Sequence, residues 1–93
     1  MAAYKLSQQA RNKLLDIYEY SLLNFGERQA DIYYDALHDS FMRLAENPLM
    51  GRAVRAYRRH DHAQYAIFYM PTQDGVVIAQ IYHHSENIAA RFR

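Results

Sequence analysis

Residues 7–48, SQQARNKLLDIYEYSLLNFGERQADIYYDALHDSFMRLAENP, decide the fold. Ser7 is placed to cap a helix whose apolar positions Ala10, Leu14, Ile17, Ser21 and Phe25 recur at spacings of four, three, four and four. Tyr18 and Leu22 widen that stripe, and Gly26 offers the left-handed conformation that ends a helix. A second helix is expected from about Glu27 to Glu46, with Ala30, Tyr33, Leu37, Phe41 and Leu44 on its apolar face. Arg28, Asp31, Asp35, Asp39 and Arg43 point elsewhere, and Asn47-Pro48 stops the helix because proline disfavours helical backbone in the residue before it. A link of about one to three residues makes the two helices antiparallel neighbours.

Working outward, the period changes. Before the hairpin, Tyr4 and Leu6 form a short extended start. After it, Gln64–Met70 (QYAIFYM) and Val76–His83 (VVIAQIYH) are rich in β-branched and aromatic residues, separated by PTQDG with its turn-favouring Asp-Gly pair. A further strand is expected within Ala53–His60. Alternation in these strands is imperfect, with apolar side chains on both faces, so the sheet is covered on one face and partly on the other. The expected fold class is α+β: an N-terminal antiparallel two-helix hairpin packed on a small twisted antiparallel β-sheet.

The chain of 93 residues is 51% apolar and 23% charged, with no cysteine. Residues 1–93 are therefore expected to form one domain around one core. Disulfides, thiolate catalysis and cysteine-based zinc sites are excluded. No apolar run reaches the ~20 residues of a membrane span and no signal-peptide core is visible, so a cytoplasmic, non-membrane protein is expected. The net charge of +1 conceals an asymmetry: residues 1–50 carry five basic and seven acidic side chains (−2), residues 51–93 six and three (+3). Arg52, Arg55, Arg58 and Arg59 fall within eight residues, a cluster able to meet carboxylates or phosphates.

Several constellations carry chemistry. On a strand, Arg58, His60 and His62 share one face while Arg59 and Asp61 share the other. Such a face suits a phosphodiester groove or, equally, a polar sheet edge. His60 and His62, two residues apart, supply two imidazoles but no further ligand at a fitting spacing, so neither a metal nor any other cofactor is expected. His83, beside Tyr82 and His84, is the natural acid/base candidate near neutral pH. Tyr18, Tyr33, Tyr65 and Tyr69 fit a core boundary, whereas Tyr20 and Tyr34 lie on helix flanks open to a partner. The tail SENIAARFR places Ile88 and Phe92 four residues apart, either to dock on the body or to project towards a target.

The ordered residues also resemble a known family. Leu6-Ser7, Ala10, Leu14, Ile17, Tyr20, Phe25-Gly26 and Gln29-Ala30 open the pattern. Tyr33, Leu37, Phe41, Leu44-Ala45, Pro48 and Gly51-Arg52 continue it, and Tyr57-Arg58-Arg59, Ile67-Phe68-Tyr69, Gly75, Ile78 and His83 complete it over nearly the whole chain. The set is similar to the ParE toxins of type II toxin–antitoxin systems, in the RelE/ParE superfamily. The resemblance implies neutralisation by a ParD-like antitoxin whose C-terminal segment folds as it wraps the toxin. It further implies inhibition of DNA gyrase by protein–protein binding, a role in plasmid or chromosome maintenance, and DNA contact only through the antitoxin.

On that reading Tyr20, Tyr34, Met42, Arg52, Arg55, Arg58 and Arg59 contact the antitoxin, while Ile88, Phe92 and Arg93 meet the target, with no catalytic residues. The alternative is a ribosome-dependent mRNA endoribonuclease of the RelE or YoeB type, with Arg58, Tyr82 and His83 as its catalytic set. Departures from the family pattern include a short Gly51–Tyr57 connection, Tyr65 where a histidine is usual, Gln80 in place of an arginine, and Glu86-Asn87 near the position of an aspartate. The only lysines are Lys5 and Lys13, too few for a groove that handles RNA.

Overall fold

Ser7 starts the first helix as its side chain suggests. In the computed structural model, which describes residues 2–92, its hydroxyl accepts a hydrogen bond from the Ala10 N–H at 3.0 Å. Helix α1 (Gln8–Phe25) and helix α2 (Glu27–Glu46) are joined by Gly26 alone. Gly26 has φ +88° and ψ 168°, and its N–H returns to the Leu22 carbonyl at 3.1 Å. Ala10, Leu14, Ile17 and Ser21 are buried as their spacing requires, and so are Ala30, Leu37, Phe41 and Leu44 on α2. Phe25 is the exception in the first stripe: it stays 64% exposed at the hairpin tip.

The sheet has five strands: β1 (Ala3–Leu6), β2 (Arg52–Val54), β3 (Tyr57–His62), β4 (Tyr65–Pro71) and β5 (Gly75–His83), in the order β1-β5-β4-β3-β2. Four strands are mutually antiparallel, but the extended start becomes β1, a parallel edge strand paired with β5 through Tyr4–Val76 and Leu6–Ile78. The sheet is therefore mixed. The strand expected within Ala53–His60 is two strands, reversed by a tight turn at Arg55, whose φ is +54°. The Asp-Gly pair also behaves differently from a two-residue hairpin turn. Thr72 N–H bonds the Gly75 carbonyl at 2.8 Å, and Gly75 is itself a strand residue opposite Ala3.

A bulge explains the broken alternation of β5. Phe68 pairs with Gln80 but Tyr69 pairs with Ile78, which leaves Ala79 without an opposite number. The extra residue shifts the pleat by one, so Ile78 and Ile81 both enter the core between sheet and helices. Leu14, Leu37, Phe41, Leu44, Ile67 and Tyr69 complete that core, each at 2% exposure or less. Burying such a side chain contributes about 1.5–3 kcal/mol. The opposite face carries a smaller layer: Phe68 lies beneath the Arg59 guanidinium (5.7 Å) and beside Tyr82 (5.9 Å). The tail closes this side with a 3₁₀ turn, Ala89–Phe92, and Arg91 sits 5.5 Å over the Tyr82 ring. Among the described residues no helix is long and apolar enough to cross a membrane.

Candidate protein-binding surface

Strand alternation divides the four clustered arginines. Arg58 points to the helix side, where its Nε donates to the Gly51 carbonyl (2.9 Å) and its Nη2 to the Leu49 carbonyl (3.2 Å). Arg59 takes the other face, donating to Asp61 Oδ1 at 2.8 Å. Burial pushes the Asp61 carboxyl upward. The Arg59 hydrogen bond and the charges of Arg59, His84 and Arg52 outweigh it and hold the group below its ordinary range. Arg52 and Arg55 remain exposed on the edge strand β2 and its turn. Two of the four arginines are thus hydrogen-bonded within the chain on opposite faces, and the other two are exposed.

The alternative catalytic set does not converge. Arg58 stands opposite Tyr69 and His83 opposite Tyr65, four residues apart along β4 and so about 13 Å. Tyr82 lies on the face opposite His83 and is covered by Arg91. The His83 Nδ1 accepts the Ser85 N–H at 3.0 Å and meets the Ser85 hydroxyl at 2.6 Å, which places the proton of the neutral ring on Nε2. His60 and His62 face the helices, where His62 packs 5.9 Å from Tyr33. Burial first, then the Arg43 charge, lowers the pKa of both. Among the described residues no three His, Asp or Glu side chains group to hold a metal ion.

The helical hairpin supplies aromatic surface. Tyr20 is 59% exposed and meets Phe25 edge-on at 6.4 Å. Together with Tyr33, Gln64 and Tyr65 they line a hollow of about 250 Å³. A second hollow of about 460 Å³ continues past Lys13, Asp16 and His83. Among the described residues the buried Tyr33 hydroxyl has no hydrogen-bond partner, and burial, with a smaller push from Tyr65, raises its pKa to about 12. Tyr34 differs from expectation: it is half-buried between Tyr18 (5.4 Å) and His38 (4.6 Å). His38 in turn hydrogen-bonds the Tyr4 hydroxyl through Nδ1. Met42 stays open to solvent at 40% exposure.

The tail folds back rather than projecting, at least through Arg91. Glu86 Oε2 accepts from Lys13 Nζ (2.8 Å) and from the His83 N–H (2.7 Å), while Oε1 lies 3.7 Å from Arg91. These donors, led by Lys13, lower the Glu86 pKa. Ile88 is half-buried; the Phe92 side chain and Arg93 lie outside the described residues. Sequence reasoning missed Phe25 and Tyr65 as surface-hollow residues and Glu86 as the tail's anchor. The tip position of Phe25 beside Gly26 was the available signal.

Comparison with known proteins gives this arrangement its family. Residues 4–88 match the family model described as the ParE toxin of the type II toxin–antitoxin system parDE. The chain belongs to the ParE toxin family. It is 35% identical over 94 residues to Toxin ParE1 of Caulobacter vibrioides, covering 97% of each chain. A solved structure of the chromosomal ParDE toxin–antitoxin system from P. aeruginosa superposes with a TM-score of 0.74 at 18% identity, covering 89% of this chain and 96% of that one. The fold is thus shared at 18% identity.

Proposed function

We propose that this ParE-family chain is a cytoplasmic toxin that inhibits DNA gyrase by binding it, and that a ParD-like antitoxin neutralises it. The observation that carries the reading is the division of the arginines. Arg58 is bonded to loop carbonyls and Arg59 to Asp61, whereas Arg52 and Arg55 are exposed and available as charged contacts. Exposed guanidinium groups engage carboxylates in paired hydrogen bonds. Around the hairpin, Leu15, Leu23 and Ile32 are 64%, 79% and 55% exposed, apolar side chains open to a partner. An antitoxin segment that orders on binding suits them, because a long wrapped contact offsets the entropy of ordering.

In this reading Tyr20, Met42, Arg52 and Arg55 contact the antitoxin directly. Tyr34, Arg58 and Arg59 act through the surfaces they hold in place. Contact with DNA runs through the antitoxin, and the tail residues Ile88, Phe92 and Arg93 meet the target. The distance between Arg58 and His83 supports binding over mRNA cleavage. The test is expression in a growing culture with and without a co-expressed ParD-like antitoxin, followed by mapping of mRNA ends. Growth arrest relieved by the antitoxin, with mRNA intact, is expected. Ribosome-dependent cleavage lost in His83→Ala would overturn the reading.

A further inference from the structure

The chain leaves the sheet at His84, whose N–H bonds the Gln64 carbonyl at 2.8 Å. From there the backbone bonds run within the tail. Glu86 N–H donates to the His83 carbonyl (2.9 Å), Ile88 N–H to the Glu86 carbonyl (2.8 Å) and Arg91 N–H to the Ile88 carbonyl (3.0 Å). Side chains join the tail to the body, and Glu86 sits where three parts meet. Its Oε2 accepts from Lys13 on α1 (2.8 Å) and from the His83 N–H at the end of β5 (2.7 Å). Its Oε1 lies 3.7 Å from the Arg91 guanidinium, which covers the Tyr82 ring at 5.5 Å.

Such a hold is reversible. The Lys13 and Glu86 side chains are 28% and 26% exposed, covered enough to keep one geometry yet wet enough that parting them strands no buried charge. The contact of Arg91 with Tyr82 is likewise a surface one, of the weak kind. These exchangeable contacts close the tail on the body, and in the closed form Ile88 is half-buried. A partner that grips the Ile88 side chain therefore needs it released, and the anchor at Glu86 sets how often that happens.

We propose that Glu86 is the latch of a closed tail: the free chain holds residues 87–91 against its own body, and the protein target takes the open form, in which Glu86 has parted from Lys13 and Arg91. The inference rests on the reading of the tail as the target-binding segment and adds the regulation of that site. A target that needs the open form binds in proportion to its population, so weakening the latch raises the apparent affinity. A tail that binds in its closed form behaves in the opposite way, because loosening it adds an ordering cost to association.

Two single variants and one double variant test it. Glu86→Gln keeps an acceptor for the His83 N–H and gives up the charge that holds Lys13 and Arg91, while Lys13→Met removes the anchor from the α1 side. The two shift net charge in opposite directions, so a gain they share cannot come from charge steering. Each is assayed for amide exchange at Ile88–Arg91, binding to immobilised purified DNA gyrase, melting temperature and growth arrest. Both are expected to exchange faster in the tail, to remain folded at the assay temperature, and to bind gyrase about three- to tenfold more tightly. Adding Ile88→Ser to Glu86→Gln is expected to lose at least about tenfold relative to Glu86→Gln alone. Unchanged or weaker binding by the single variants, with the Ile88→Ser loss intact, overturns the latch and leaves the target reading standing. So does a gain confined to one variant, or tail exchange unchanged in both. No loss with Ile88→Ser overturns the target reading of the tail and the latch with it. If wild type arrests growth without binding gyrase, the gyrase reading fails and growth arrest decides the latch: arrest at lower expression in both single variants upholds it, and arrest at equal or higher expression overturns it. A harmless wild-type chain overturns both.

Discussion

Gly26 and Gly75 are required for opposite reasons, and each gives a separate prediction. No atom lies within 4 Å of a Cβ added at Gly26. Its requirement is purely conformational, because φ +88° with ψ 168° is a region nearly closed to side chains. Gly26→Ala is expected to destabilise by about 1–3 kcal/mol, read as a lower urea midpoint. At Gly75 the backbone angles are ordinary, but an added Cβ would sit 1.7 Å from the Ala3 carbonyl oxygen. Gly75→Ala must push β1 off the sheet, at about 2–3 kcal/mol, with amide exchange accelerated first at Tyr4 and Leu6. Protection of those amides at the wild-type level would contradict the close approach. Tyr69→Phe removes the partner of the buried Gly51 N–H and is expected to lose about 1–3 kcal/mol. An unchanged urea midpoint would mean that the loop does not depend on that hydroxyl.

Elements differ in how far the sequence discloses them. Both helices are legible with their boundaries because four core contacts per helix repeat at the helical period and Gly26 breaks it. The exposure of Phe25 is legible only from its place as the last helical residue before Gly26, because the stripe alone would bury it. Strand β5 defeats period counting, since the Ala79 bulge changes the parity halfway along. Strand β1 is legible as extended chain, but its parallel pairing joins Ala3 to Gly75, a long-range contact that local pattern does not encode. The arginine cluster is legible as charge but not as contact. The acceptors of Arg58 are backbone carbonyls of a loop, and carbonyls leave no mark in sequence. The tail is legible as short and amphipathic, whereas its anchor, Glu86 to Lys13 on α1, again depends on distant residues. Glu86→Gln weakens that anchor and should raise amide exchange at Ile88–Arg91 while leaving the hairpin unaffected. Uniform exchange throughout would show that the tail is not a separate unit.

For the whole molecule, the histidines set a pH dependence with a definite sign. His38, His60 and His62 all have pKa values lowered from 6.5, burial being the leading cause in each case. For His38 this prevails over the raising influence of Asp35 and Asp39. Below about pH 6.5 the unfolded chain binds protons that the folded one resists, so stability is complete above that pH and declines as it falls. At lower pH, Glu86 and Asp61, lowered from 4.5 and 3.8, lose their contribution as pH drops through their folded values. Melting temperature should therefore fall between pH 7.5 and 5, and the fall should be smaller in a His60→Gln, His62→Gln double variant. A melting temperature that rises on acidification would reverse the sign and contradict the buried-neutral assignment.

The central claim, that this ParE-family chain acts by gripping its target, is tested most directly by a supercoiling assay. Purified DNA gyrase is titrated with antitoxin-free protein under conditions where the protein's own melting is monitored. The account predicts dose-dependent inhibition that saturates near stoichiometric protein and is reversed by a ParD-like antitoxin. Full supercoiling activity in the presence of excess folded protein would contradict it.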